Sequence, residues 1–223
     1  MRKIIVGAQV SLDGVMQAPG APMEDPTGGF PFGGWVVPYF HPVFDEEIGH
    51  VLTPDRDLLL GRKTYEIFAA YWPHYDEAGP AGRIATLFNT ITKYVVSGSG
   101  EVDTSWKGTV VLRDIDAVRR LRDSGGRDLV TQGSTALLHA LFEHDLVDAL
   151  STFTVPLVLG QGKKLFADGS APHSYTMVRS RMADNGLMVA HYERAGGIAT
   201  GDTSVDTPNP RELTRRERMR KEG

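Results

Sequence analysis

Two stretches of this chain set glycine, hydroxyl and basic residues at a point where a short apolar run gives way to a helix-compatible segment. In Leu58-Leu59-Leu60-Gly61-Arg62-Lys63-Thr64-Tyr65-Glu66 the run stops at Gly61 and continues through two cations. At a strand-to-helix junction the unpaired backbone N–H groups and the positive end of the helix dipole face one point, so an anion is welcome there. A phosphate-bearing cofactor suits such a place. The plainer alternative is that Gly61 only makes the turn and Arg62 and Lys63 are solvated surface. The second stretch, Asp128-Leu129-Val130-Thr131-Gln132-Gly133-Ser134-Thr135, repeats the pattern. Gly133 permits close backbone approach, and Ser134 or Thr135 is expected to cap the helix that follows. A phosphate role for this stretch requires the first junction beside it.

Other chemistry-bearing residues are scattered more thinly. Asp13, in Ser11-Leu12-Asp13-Gly14, puts a carboxylate just past an apolar run, where it could face a substrate or simply hydrogen-bond the turn. Ser97-Gly98-Ser99-Gly100 follows another such run and suits phosphate or ribose contact, although this is also ordinary loop composition. Asp45, Glu46 and Glu47 fall in the early turns of an expected helix, where acids complement the dipole. One of the three could face a cleft. Lys163 and Lys164 could attract a phosphorylated substrate, but solvation is the simpler account. His41 and His50 are too isolated to suggest a metal site.

The elements that must position these groups follow from periodicity. Ile4 to Val10, Leu58 to Leu60, Lys93 to Val96, Val110 to Leu112 and Asp128 to Gln132 are short β-branched or leucine runs, as expected of strands buried on both faces. Helical patterns stand between them: His41–Leu52, a segment from Arg62 stopped by Pro73, Pro80–Asn89, Asp114–Ser124 with Asp114 as N-cap, and a helix from Ser134 to about His144. Val147 to Leu159 is strand-rich, and Pro156 suggests an edge or a bulge. Tyr175–Arg181 and Gly186–Glu193, joined at Asp184-Asn185-Gly186, read as a hairpin. Strand-helix alternation followed by antiparallel strands implies an α/β fold, a mixed sheet with helices on both faces. Gln17 to Pro38 is Gly-, Pro- and aromatic-rich, and Tyr39 and Phe40 continue it. This insertion, 17–40, is too aromatic for a linker and is expected to form a lid, a binding loop or an arm on a neighbouring subunit. Residues 195–223 are polar, with a charge run from Arg211 to Lys221, and are expected to be disordered.

The bulk numbers narrow the function classes. A chain of 223 residues, 41% hydrophobic and 23% charged, fits one globular domain with decoration. Its 24 basic and 28 acidic residues give a net charge of −4, so nothing drives it toward nucleic acid or an anionic membrane, despite the basic end of the tail. With no cysteine, disulfides, thiolate metal sites and a cysteine nucleophile are excluded. Met1-Arg2-Lys3 runs straight into a strand-like segment rather than a signal peptide, and a cytoplasmic location is expected.

Taken in order, Leu-Asp-Gly after the first strand, Gly-Arg-Lys-Thr-Tyr-Glu after the next, Val-Val-Ser-Gly-Ser, Gln-Gly-Ser-Thr opening a helix and Pro-Leu-Val-Leu-Gly-Gln-Gly-Lys-Lys-Leu-Phe resemble the dihydrofolate reductase-like superfamily. Within it, the chain is most similar to the reductase domain of bacterial riboflavin biosynthesis, the RibD C-terminal domain, and its stand-alone relatives. The resemblance covers about Arg2 to Arg194. It implies a three-layer dihydrofolate reductase-like fold over 1–194, with a mostly parallel sheet and a C-terminal antiparallel hairpin, that binds NADPH and is commonly dimeric. By the same resemblance Gly61, Arg62, Lys63 and Thr64 hold the pyrophosphate and the adenosine 2′-phosphate. Ser97 and Gly98 form the second adenosine-side loop. Gln132, Gly133, Ser134 and Thr135 meet the pyrophosphate at a helix N-terminus, and Ala8 lies against the nicotinamide. Gln9, Trp35 and Leu165 are expected near the substrate, and Asp13 or Asp45 is expected as acid or substrate anchor. No metal is implied.

The implied activity is hydride transfer to a small heterocycle, as in 5-amino-6-(5-phosphoribosylamino)uracil reductase or dihydrofolate reductase. The alternative is a catalytically inactive nucleotide-binding protein of the same fold. Departures bear on the substrate. Where dihydrofolate reductases carry the arginine for the folate glutamate tail, this chain has Ile91-Thr92, and Gln132 stands where riboflavin-pathway reductases usually have an acid. No zinc deaminase signature accompanies the domain.

Overall fold

The computed structural model describes residues 1–203 and 207–222. Its centre is an eight-stranded sheet in the order β4-β3-β2-β5-β1-β6-β8-β7. The strands are β1 (Ile4–Ser11), β2 (Arg56–Gly61), β3 (Lys93–Val96), β4 (Thr109–Leu112), β5 (Asp128–Gln132), β6 (Ala149–Val155), β7 (Ser174–Met182) and β8 (Met188–Gly196). The first six pair in parallel, and β8 joins β6 antiparallel and carries β7 at the edge. Among the described residues the α-helices are α1 (Pro42–Val51), α2 (Arg62–Tyr71), α3 (Gly82–Thr90), α4 (Ile115–Asp123), α5 (Thr135–Glu143) and α6 (Pro210–Glu222).

Strand alternation divides the core into two layers. On one face Leu58, Leu60, Val130, Phe153, Val155 and Val189 meet α1, α2 and α3 through Phe44, Ile48, Val51, Tyr65 and Phe88. On the other, Ile4, Val6, Ala8, Val10, Leu59 and Leu129 meet α4 and α5 through Val118, Leu137, Leu138 and Leu141. The expected mixed sheet with helices on both faces and a C-terminal antiparallel pair is thus present. Asp114 caps α4 as expected, accepting the Ala117 N–H at 2.7 Å.

Three expectations need correction or detail. Pro156 marks neither an edge nor a bulge: β6 is an interior strand, and the proline lies just beyond its last residue, Val155. The 17–40 insertion holds only two short 3-10 turns, Thr27–Gly29 and Val37–Tyr39, yet it packs into the body. Phe30, Trp35 and Val36 are buried in the layer that contains α1. The tail expected to lack regular structure forms α6. That helix buries no residue and is held by intrahelical pairs, Glu212 with Arg215 at 2.7 Å and with Arg216 at 2.8 Å. Its charge run therefore supplies i,i+3 and i,i+4 partners rather than only repulsion. No described helix is long and apolar enough to cross a membrane.

Candidate nucleotide crevice

The parallel strands all end at the same sheet edge, and the adjacent strands β2 and β5 send their helices to opposite faces, α2 to one layer and α5 to the other. A crevice opens at such a divergence. The two junctions read from the sequence form its walls, and the structure brings them into contact. The Gly61 N–H donates to Ser134 Oγ at 2.9 Å. A β-carbon on Gly61 would lie 3.4 Å from the Ser134 side chain, and one on Gly133 would lie 3.7 Å from Thr64. Gly133 is at φ +72° and Ser134 at φ +68°, so two consecutive left-handed residues turn β5 into α5.

The expected side-chain cap on α5 is not made. Ser134 occupies the N-cap position without capping, because its hydroxyl is turned to Gly61 on the other wall, and Thr135 is already the first helical residue. Gly61, at the N-cap of α2, has no side chain to offer. Both helices therefore begin without a side-chain acceptor, and their dipoles are directed to one crevice.

Charge at the crevice mouth comes from α2. Lys63 is exposed and makes no ion pair among the described residues, whereas Arg62 holds Glu66 at 2.6 Å. Ser97 is buried at the end of β3, its N–H bonded to the Leu112 carbonyl, and open space surrounds the Gly98 Cα. Sequence reasoning missed Arg113, just past β4, which reaches back to the Ser99 carbonyl at 2.7 Å and adds a cation to this loop.

Toward the middle of the sheet, β1 pairs with β5 only from Ile4 to Gly7 but follows β6 as far as Ser11. The β5 side of Ala8 to Ser11 therefore meets no strand. Gln132 lies at this divergence, buried, with Nε2 reaching within 2.6 Å of where a Gly7 β-carbon would stand. That amide has no hydrogen-bond partner among the described residues. Ala8 is buried on the α5 side, and Gln9 is half-buried.

The residues expected at the substrate end are placed differently. Trp35 is in the core, its indole N–H donated to the Gln17 carbonyl at 2.7 Å. Leu165 is buried on the far face, among the side chains around α5. Both are packing residues, for the physical reason that large apolar side chains on irregular segments hold those segments to the body. Lys163 is not simply solvated: it pairs with Asp25 and bonds Thr27 Oγ1 at 2.8 Å, fastening the insertion beside a hollow of about 240 Å³.

The acids also differ from expectation. Asp13 accepts the Ser11 hydroxyl at 2.6 Å and the Leu159 and Gly160 N–H groups at 3.1 and 2.8 Å. Those bonds, Ser11's first, lower its pKa to about 2, so it acts as an ionised tie between the β1 turn and the loop after β6. Asp45 is exposed on the outer side of α1. The acid that α1 turns inward is Glu47, which is fully buried. It accepts Arg179 Nε and Nη2 at 2.8 and 2.7 Å and approaches His191 Nε2 at 2.9 Å. His191 Nδ1 in turn lies 2.8 Å from Ser151 Oγ. The Arg179 bonds hold Glu47 down to about 2 against the cost of burial, and burial lowers the His191 pKa. The ionised carboxylate requires the His191 Nε2–H, which leaves Nδ1 to accept the Ser151 hydroxyl.

Comparison with known proteins agrees with this architecture. The family model of the RibD C-terminal domain matches residues 2–189. A curated relative, the uncharacterized protein YyaP of Bacillus subtilis (strain 168), is 24% identical over 200 residues, spanning 87% of this chain and 96% of its own length. Among solved structures, a putative riboflavin biosynthesis protein from Shewanella sp. PV-4 superposes with a TM-score of 0.57 at 19% identity, covering 86% of this chain and 99% of that one. Dihydrofolate reductase from Enterococcus faecalis, complexed with NADP(H) and RAB-propyl, gives 0.52 at 15% identity, over 86% and 96%.

Proposed function

The chain belongs to the RibD C-terminal domain family, and on that premise we propose that it is an NADPH-dependent reductase of a small, planar nitrogen heterocycle. The observation that carries the proposal is the pair of helix N-termini, both without side-chain caps, joined across one crevice by the Gly61–Ser134 hydrogen bond. The residues present fit a dinucleotide phosphate. The two N-termini share a pyrophosphate, and Lys63, with Arg62 released from Glu66, meets a 2′-phosphate. The buried, unpartnered Gln132 amide fits a carboxamide acceptor at the divergence of β1 and β5. When bound, the reduced dinucleotide supplies the hydride. The chain's own residues bind, orient and exclude water: β1 offers its unpaired backbone edge, and Val51 of α1 packs close to Gly7 of that strand. Asp13 fixes the loop after β6 through Leu159 and Gly160 rather than moving a proton, because it stays ionised at neutral pH. The same proposal places the protein in the cytoplasm.

The test compares thermal shifts and cofactor oxidation. NADPH should raise the melting temperature more than NADH, and Arg62→Ala with Lys63→Ala should remove most of that difference. Equal shifts from the two nucleotides would sink the reading. A second reading, nucleotide binding without turnover, is favoured by one observation: Asp13 in the turn after β1 and Glu47, the acid that α1 turns inward, are both held ionised. Tight NADPH binding with no oxidation across pterins, folates and aminopyrimidine ribityl phosphates would select that reading.

A further inference from the structure

The contact between α1 and the C-terminal hairpin holds one histidine from each side, and both are kept in the same neutral tautomer. His41, the N-cap of α1, accepts the Val43 N–H on Nδ1 at 3.2 Å. Its Nε2 lies 3.3 Å from Asp184 at the hairpin tip. His191, on β8, presents Nε2 to Glu47 of α1 at 2.9 Å and Nδ1 to the Ser151 hydroxyl at 2.8 Å. An accepting Nδ1 leaves the single ring proton on Nε2, where a carboxylate of the opposite element takes it. The same tip also holds the end of the 17–40 insertion, because Asn185 Nδ2 donates to the Tyr39 carbonyl at 3.1 Å.

A second ring proton turns both Nδ1 acceptors into donors. The Val43 N–H would then face another N–H, and a backbone donor cannot turn away. α1 loses its cap and gains a cation at the positive end of its dipole. The pair with Asp184 returns little, since that carboxylate is 91% exposed. At His191 the hydroxyl of Ser151, which is buried, must turn to accept and gives up the nitrogen that received its proton. The charges around the two rings do not call for another cation. On α1 they are Asp45, Glu46, Glu47 and His50, and on β7 Arg179 and Arg181. Arg179 already holds Glu47 at 2.7 Å, and Arg181 lies 3.3 Å from Glu46. Glu193, two residues along β8, is paired with Lys3. Burial lowers the His191 pKa further against protonation.

We propose that His41 and His191 form a pH-sensitive latch between α1 and the hairpin, closed while both rings are neutral and opening in mild acid to free the first turn of α1, the hairpin tip and the end of the insertion. Once the latch is open, each ring takes up a proton near the ordinary histidine value of about 6.5, for which the closed geometry has no place. Opening is therefore independent of pH above about 6.5, and below it grows by up to about tenfold per histidine for each unit of pH. Glu47 stays out of this range, because it takes up its proton only below 4.5.

Amide hydrogen exchange of the full chain at pH 7.5 and 5.5, divided by the intrinsic rate at each pH, reads the opening directly. Protection from Val43 to Glu46 and from Ala183 to Leu187 should fall by between about tenfold and a hundredfold at the lower pH, while that of β1 and β5 holds. His41→Asn keeps a capping acceptor that does not titrate, and His191→Gln keeps a donor for Glu47. The double variant should be equally protected at both pH values. Each single variant should keep roughly half of the logarithmic response, so the test does not depend on the double variant folding. Equal wild-type protection at the two pH values, a fall spread evenly over the whole sheet, or single variants that respond as strongly as wild type would overturn the proposal. None of these readouts involves a nucleotide, so this inference stands or falls apart from the proposed activity.

Discussion

Ser134 offers a test in which two physical effects separate. Its backbone sits at φ +68°, ψ +60°, and its hydroxyl accepts the Gly61 N–H at 2.9 Å instead of capping its own helix. Alanine loses that bond, worth about 1 kcal/mol, and keeps the left-handed backbone. Glycine loses the bond too, but relieves about 1 to 2 kcal/mol of left-handed strain, less about 0.4 to 1 for its freer unfolded chain. Ser134→Gly should therefore fold within about 0.5 kcal/mol of wild type, and Ser134→Ala should lose about 1. Threonine is the decisive substitution. An ordinary N-cap tolerates it, whereas a β-branched residue at positive φ is strained even though it retains the hydroxyl, so Ser134→Thr should lose about 1 kcal/mol or more. Urea unfolding measures all three, and the NADPH-induced melting shift should fall in the alanine and glycine variants alike, because both uncouple the walls of the crevice. A threonine variant as stable as wild type would refute the backbone argument. An undiminished shift in Ser134→Gly would refute the coupling.

Two further outcomes follow from buried ionisable groups. Glu47 has its pKa lowered from 4.5 to about 2 by Arg179, so the stability it contributes is complete above pH 4.5 and is lost as pH falls toward 2. Glu47→Gln should cost on the order of 2 to 3 kcal/mol at pH 7, less than a fully buried pair because Arg179 is half exposed, and should flatten acid unfolding in that window; an unchanged acid midpoint would count against it. Lys93 is fully buried, its Nζ bonded to the Phe88 carbonyl at 2.9 Å and 4.5 Å above the Trp106 ring. Burial lowers its pKa from 10.5 to about 8, so between those values the unfolded chain binds the extra proton and stability rises with pH. Measured by urea midpoints from pH 7 to 10, wild type should gain on Lys93→Met by up to about 2 kcal/mol, the Phe88 and Trp106 contacts opposing part of the shift, and parallel curves would contradict this.

The paired strand-to-helix junctions of the crevice were legible in the sequence because their parts are local. A strand, a glycine and a helix start within eight residues fix where N–H groups face, and repeating the pattern twice fixes a crevice once the strands become neighbours. The use of the Ser134 hydroxyl was not legible, since it depends on Gly61, which is remote in sequence. The error at Asp45 is of another kind. Val43, Phe44, Ile48 and Val51 define the inward stripe of α1, and Glu47 lies three residues after Phe44 and four before Val51, on that same stripe, while Asp45 and Glu46 fall outside it. The 3.6-residue period alone would have selected Glu47. A buried carboxylate then demands a partner, yet nothing local identifies Arg179 and His191, which reach it from the two strands of the C-terminal hairpin. That demand also explains the asymmetry of the hairpin. With its cations committed to Glu47 on one face, the other face of the same strands is left with methionine, alanine, serine and tyrosine.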